Sequence, residues 1–212
     1  MQGQPFAAVI FTLSTHQPFK IPPQYEGRFP AGELPIHESV GYLDHSLRNF
    51  FAIAQQMLWF NRTLFVITGD HAGPAAAPRA RLIDAYRVPL IFYHPSVALP
   101  STGASKIAQH ADIAPSILDH VGLRGAHLLS FGHSVFDSTY EGLALEEVDD
   151  RYWMALGDYY IEQSAEGTAT LSQLSDGAVP VADAAKVRAR LLRELERQVR
   201  RFNELFTESP GK

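Results

Sequence analysis

An α/β fold, with a mainly parallel sheet flanked by helices, is predicted by three features of this 212-residue sequence. Residues 63–73, TLFVITGDHAG, hold an apolar, partly β-branched run (64–68) of the kind a buried parallel strand needs, stopped by Gly69. Residues 7–13, AAVIFTL, read as a second such strand. Between them Val40, Leu43, Leu47, Phe50, Phe51, Ala54, Met57 and Leu58 recur at three- and four-residue steps, which predicts an amphipathic helix with Ser39 as its N-cap. Strand, helix and strand make a βαβ unit whose strands run parallel with a right-handed crossover.

The remaining elements follow in order. Residues 20–37 are rich in proline and glycine and read as a long ordered loop of the kind that forms lids and rims. The segment 72–81, AGPAAAPRAR, is a loop, and 87–93, RVPLIFY, is a further strand that tolerates its proline near the start. Residues 100–105 form a polar loop, after which Asp112 caps a helix with proline in its first turn and Gly122 at its stop. His110, just before that helix, reads as fixing its entrance. Residues 125–147 are irregular apart from 130–136, whereas 152–161 and 168–174 make an antiparallel hairpin through Glu166 and Gly167. A long amphipathic helix over 182–206 closes the chain, with Val187, Leu191, Leu195, Val199, Phe202 and Phe206 on one face. Its other face mixes arginines with glutamates and reads as solvated rather than membrane-bound. The expected organisation is an α/β domain over 1–145, with the hairpin and helix of 146–212 packed on it.

Composition narrows the function. A formal net charge of -5 argues against general nucleic-acid binding, and 46% hydrophobic residues mark a globular chain. No apolar run has membrane-span length, so the chain itself is expected to be soluble. The absence of cysteine excludes disulfides, zinc-thiolate sites and thiol nucleophiles, and leaves the compartment open.

Chemistry concentrates after the predicted strands, whose carboxyl ends line the ligand crevice of an open α/β sheet. Asp70 and His71 put a hard oxygen ligand beside an imidazole there, a metal-site arrangement if the backbone turns at Gly69. Alternatively, Asp70 caps a turn and His71 is simply hydrogen-bonded. His16, just past residues 7–13, reads either as a ligand- or substrate-contacting group or as a structural histidine. Arg79 and Arg81 could orient a phosphate or anionic headgroup in bidentate fashion, or be two solvated arginines. Tyr42, Asp44 and His45 lie on or near the polar face of the first helix, with His45 read as solvated.

Six segments in register resemble the sulfatase-type domain of the alkaline phosphatase superfamily, in particular its lipoteichoic-acid-synthase and phosphoglycerol-transferase branch. They are STHQPF (14–19), SVGYLDHSLRNFF (39–51), TLFVITGDHAG (63–73), YRVPLIFYHP (86–95), QHADIAPSILDHVGL (109–123) and SFGHSVFD (130–137). The resemblance implies an alkaline-phosphatase-like fold and one divalent ion, manganese by first preference with zinc, magnesium or calcium as alternatives, held in part by Asp70 and His71. It further implies that His16 contacts the transferring phosphoryl or sulfuryl group, with an anionic phospholipid or glycan as substrate. The family's nucleophile and a further acidic ligand precede the region resembling residues 5–20, and no serine or threonine here fills that motif. Gln17 stands where many relatives have a second histidine. The expectation is therefore a C-terminal part of a larger, membrane-anchored, extracytoplasmic enzyme, inactive alone, its partner the missing N-terminal half and its exposed strand edges prone to self-association. The alternative is a non-catalytic binding or scaffolding domain that retains the fold.

Overall fold

The computed structural model describes residues 4–75, 82–100, 106–123, 131–175 and 181–207. The chain divides into two compact units, Met1–Ser96 and Val97–Lys212.

In the N-terminal unit a 19-residue helix, α1 (Ile36–Ala54), precedes two short strands, β1 (Phe65–Thr68) and β2 (Leu90–Tyr93). The helix starts three residues before the expected cap: Ser39 is buried inside its first turn and donates to the Ile36 carbonyl at 2.8 Å. Aromatic rings hold the unit together. Phe65 on β1 meets Phe51 of α1 at 5.1 Å, Phe60 at 5.4 Å and Tyr93 of β2 at 6.0 Å between ring centroids. Such pairs add about 0.5–1.5 kcal/mol each beyond the area they bury.

Two expectations are corrected here. Residues 7–13 are not a strand among the described residues; their side chains stand in solvent, Val9 98% and Ile10 71% exposed. The pairing of β1 with β2 is antiparallel, with Phe65 opposite Tyr93 and Thr68 opposite Leu90. The connection explains the direction. A parallel return needs a crossover element, whereas the described residues between β1 and β2 hold only a 3-10 turn, Leu82–Ala85. Pro89, which lacks an N–H, sits just before the paired residues of β2. The unit retains a helix against strands, yet only Ala54 and Ile83 are buried apolar residues in its described part. Twelve large hydrophobic residues of this unit, among them Phe6, Phe11, Ile53 and Leu58, are exposed among the described residues.

The C-terminal unit has a proper core. Here α2 (Ile113–His120) leads to a four-stranded antiparallel sheet in sequence order, β3 (Leu143–Val148), β4 (Arg151–Leu156), β5 (Tyr159–Gln163) and β6 (Ala169–Gln173), then to α3 (Val181–Thr207). Met154 and Ile161, opposite one another on β4 and β5, are fully buried against Leu191 and Leu195 of α3. The long helix thus matches the expected 182–206 to within a residue at each end, and Leu191 and Leu195 do face the core.

The expected two-stranded hairpin proves to be half of this sheet. Residues 152–161 are themselves a hairpin turning at Gly157 and Asp158, with Leu156 opposite Tyr159. Strand β3 falls in a stretch expected to be irregular. Asp149 and Asp150 form the two-residue β3–β4 turn with φ of 52° and 58°, the left-handed pair a type I′ hairpin requires. Neither is glycine or asparagine. Asp150→Gly should therefore stabilise the protein by about 0.5–1 kcal/mol, the relieved strain exceeding the added unfolded-chain freedom; a urea titration would show the midpoint rising with unchanged slope.

A buried polar clamp orders residues 131–137. Asp112, fully buried, accepts from the backbone N–H of Gln109 at 3.0 Å and of His133 at 2.8 Å. Asp112 is the N-cap residue of α2, as expected, though its side chain makes no cap bond there, while Gln109 caps the preceding 3-10 turn, His110–Asp112, and makes a capping box with Asp112. Ser116 extends the clamp by donating to the Asp112 carbonyl and accepting from the Val135 N–H. Lys106 Nζ donates to the Val135 and Asp137 carbonyls at 2.9 and 2.7 Å.

Candidate metal centre

Strand β1 ends where the predicted site begins. Asp70 Oδ1 accepts the His71 backbone N–H at 3.0 Å, the local turn that the alternative reading required. The same geometry leaves ligands free. His71 Nδ1 lies 3.0 Å from the Ala72 carbonyl, and since a carbonyl only accepts, Nδ1 carries a proton and, in the neutral ring, Nε2 carries the lone pair. That Nε2 is 3.7 Å from Asp70 Oδ2, the carboxylate oxygen not used by the turn. Two donors about 2.1 Å from one ion at angles between 90° and 110° would be about 3.0–3.4 Å apart, so a shift of a few tenths of an ångström lets both bind one ion. The donor set, one carboxylate oxygen and one imidazole nitrogen, suits manganese, magnesium or zinc.

Both side chains are open to solvent, His71 by 73% and Asp70 by 58%. No group of three or more metal-ligating side chains occurs among the described residues. Gly69 does not make the turn through a left-handed φ; an added Cβ would instead lie 3.4 Å from Val88. Its contribution is packing space.

His16 sits in a tight turn, its N–H donating to the Leu13 carbonyl and its carbonyl accepting from Phe19. Its Nδ1 donates to the Gln17 carbonyl at 2.8 Å, so in the neutral ring Nε2 is the exposed acceptor nitrogen, the same tautomer as neutral His71. No hydrogen bond or ion pair among the described residues joins His16 to Asp70 or His71. Arg79 and Arg81 lie outside the described residues.

His45 was expected in solvent and is instead half-buried. It stacks obliquely on Tyr25 at 5.4 Å and Phe29 at 5.7 Å, with Tyr42 also against Tyr25 at 5.1 Å. These rings pin the proline-rich loop to α1. The signal was present in the sequence as two aromatics four apart in the loop facing two rings three apart on a helix.

The Sulfatase family profile matches residues 1–123. Lipoteichoic acid synthase 2 of Bacillus subtilis (strain 168) is 26% identical over 181 residues, covering 74% of this chain and 27% of that protein. A crystal structure of a protein in the alkaline phosphatase superfamily from Vibrio parahaemolyticus superimposes with a TM-score of 0.62 at 16% identity, over 94% of this chain and 50% of the other. The chain thus spans about a quarter of the curated relative and half of the solved structure. The segments that carry Asp70, His71 and His16 all fall inside the family match, and this chain belongs to the sulfatase family, with a fold of the alkaline phosphatase superfamily.

Proposed function

We propose that this chain is the C-terminal part of a metal-dependent transferase or hydrolase of phosphodiesters or sulfate esters, with phosphoglycerol transfer as the specific reaction. The observation that carries the reading is the convergence of Asp70 Oδ2 and His71 Nε2 at 3.7 Å with both lone pairs uncommitted. Asp70 and His71 would hold one divalent ion, manganese by preference, which neutralises charge on the nonbridging oxygens and lowers the pKa of a hydroxyl nucleophile. His16, its Nδ1 proton already committed to Gln17, presents Nε2 toward solvent for the transferring group or its leaving oxygen. Arg79 and Arg81 would orient an anionic lipid or glycan headgroup. The nucleophile and the remaining ligands belong to sequence that precedes this region in the complete, membrane-anchored, extracytoplasmic protein. Two facts support that division: the 27% coverage of the relative, and an N-terminal unit that, among the described residues, exposes twelve large apolar side chains and buries only Ala54 and Ile83.

The test is turnover. Purified chain supplied with manganese and a fluorescent glycerophospholipid, an aryl phosphodiester or an aryl sulfate should release no product above the metal-only control. Manganese-dependent turnover abolished by Asp70→Ala would overturn the division of labour, because it would place a nucleophile within these residues. A purely non-catalytic scaffold would instead be indicated if the complete protein kept its activity when Asp70 and His71 were both replaced by alanine.

A further inference from the structure

We infer that the proline- and glycine-rich loop before α1 is a strap whose C-terminal end is latched by His37 and released when that imidazole takes up a proton. The latch lies within the N-terminal unit, and its bonds involve neither Asp70 nor His71.

His37 is the second residue of α1, and its ring folds back over the turn that leads into the helix. Its Nδ1 accepts the Glu33 N–H at 3.0 Å and the Leu34 N–H at 3.3 Å. One ring nitrogen holds two backbone donors. A nitrogen that accepts carries no proton, so the neutral ring has its proton on Nε2, and the proton that charges it must go to Nδ1. Charging the ring therefore breaks both bonds at once. It also sets a cation against two N–H groups at the positive end of a 19-residue helix, where cations are disfavoured. The turn is shaped for this ring. A Cβ at Gly32, whose φ is 60°, would lie 1.9 Å from Nδ1, so only glycine lets the imidazole reach its two donors.

The other end of the loop is fastened differently. Tyr25 and Phe29 lie against Tyr42 and His45 of α1, and Phe29 Cβ is 2.7 Å from the place a Cβ at Gly41 would take. These ring contacts survive protonation of His45, because an aromatic face still attracts an imidazolium. What that proton displaces is the bond between Asn49 Nδ2 and His45 Nε2, 2.9 Å long and internal to the helix. Acid thus opens the His37 end while the aromatic end stays on α1.

The charged groups of the elements that meet here do not reverse the sign. Glu33 stands in the turn and Glu38 beside His37 in α1, with Glu26 and Arg28 farther back in the loop. Glu38 accepts the Gly27 N–H at 2.5 Å, and Arg28 lies over the Tyr25 ring. The two nearest carboxylates attract a charged ring, and neither can restore a bond that needs an unprotonated Nδ1. From the third element, residues 73–75 bring no charge. Ile36 Cδ1 is 2.8 Å from the place a Cβ at Gly73 would take, so the latch opens beside the loop that follows His71.

Amide hydrogen exchange on the whole chain, corrected for the intrinsic pH dependence of exchange, tests the strap. Protection of the Glu33 and Leu34 amides should fall at least about fivefold between about pH 8 and about pH 5, the interval in which an imidazole changes charge, while the paired amides of β4 and β5 keep theirs. His37→Asn, whose carbonyl oxygen accepts from the same N–H groups and does not titrate, should hold the protection at both values. His37→Ala should lose it at both. His45→Phe, which keeps the ring contacts, should retain the wild-type response. The nitrogen resonances of the His37 ring give a readout that needs no variant, with Nδ1 unprotonated at the higher pH. Wild-type protection indifferent to pH, an equal fall in His37→Asn, loss of the response in His45→Phe, or a protonated Nδ1 at the higher pH would overturn the latch.

Discussion

Gly132→Ala is expected to destabilise the C-terminal unit by about 3 kcal/mol or more, the largest effect of any single methyl addition considered for this chain. A Cβ built at Gly132 would lie 1.9 Å from the Ala111 carbonyl oxygen and 2.6 Å from the Asp112 nitrogen. Both are backbone atoms that cannot swing aside. The segment would have to lift away, which breaks the His133 N–H bond to Asp112 that ties it to the helix entrance. Asp112→Ala reaches the same clamp from the other side, leaving the buried N–H groups of Gln109 and His133 without an acceptor, at a cost of about 2–4 kcal/mol. Chemical denaturation followed by near-ultraviolet circular dichroism would read both. Burial raises the Asp112 carboxyl above its ordinary value, with the His133 and Gln109 N–H groups and Lys106 pulling the other way. A raised folded value means that this group's contribution is fully present below the ordinary carboxyl value and is lost as pH rises through the raised one. Asp112→Asn should accordingly remove a contribution that declines as pH rises through the raised value, so that stability climbs more steeply with pH on the acid side.

The second large effect concerns association. Val9, Ile10 and Phe11 are 98%, 71% and 67% exposed in a stretch with no strand partner among the described residues. Exposed apolar segments of this kind drive self-association. The isolated chain should form dimers or larger assemblies at micromolar concentration, and the triple substitution Val9→Ser, Ile10→Lys, Phe11→Ser should raise the concentration needed at least tenfold. Sedimentation velocity would show it, with the thermal midpoint of the C-terminal core unchanged. A monomeric wild-type chain at 100 µM, or assemblies indifferent to the triple substitution, would contradict this use of the segment.

Local periodicity made several elements legible. The 3.6-residue spacing of α1 and α3 and the helix after Asp112 are all found, because an amphipathic stripe depends only on near neighbours in sequence. Strand direction was not legible in the same way. The apolar run at 7–13 has strand composition, but a strand forms only against another strand, and none lies beside it among the described residues. The β3–β4 and β4–β5 turns were hidden by their residues: Asp149-Asp150 takes the φ values usually left to asparagine and glycine, and Gly157-Asp158 interrupts what reads as one continuous apolar strand. At the site, adjacency in sequence made the Asp70/His71 pair visible, whereas its tautomer depends on the Ala72 carbonyl, a backbone detail that no residue type encodes. The helix face with three arginines was read as solvated because its composition is ordinary. Only the packing of α3 against residues 131–143 turns that face into a cleft.

The most direct test of the account is manganese binding by calorimetry, on the wild-type chain and on Asp70→Ala/His71→Ala. Two ligands with the rest of the coordination left to water predict weak, saturable binding, with a Kd above about 0.1 mM, that the double substitution removes. One ion per chain bound below about 1 µM would contradict the account by showing a complete ligand set within these 212 residues, and so would any binding that the double substitution left intact.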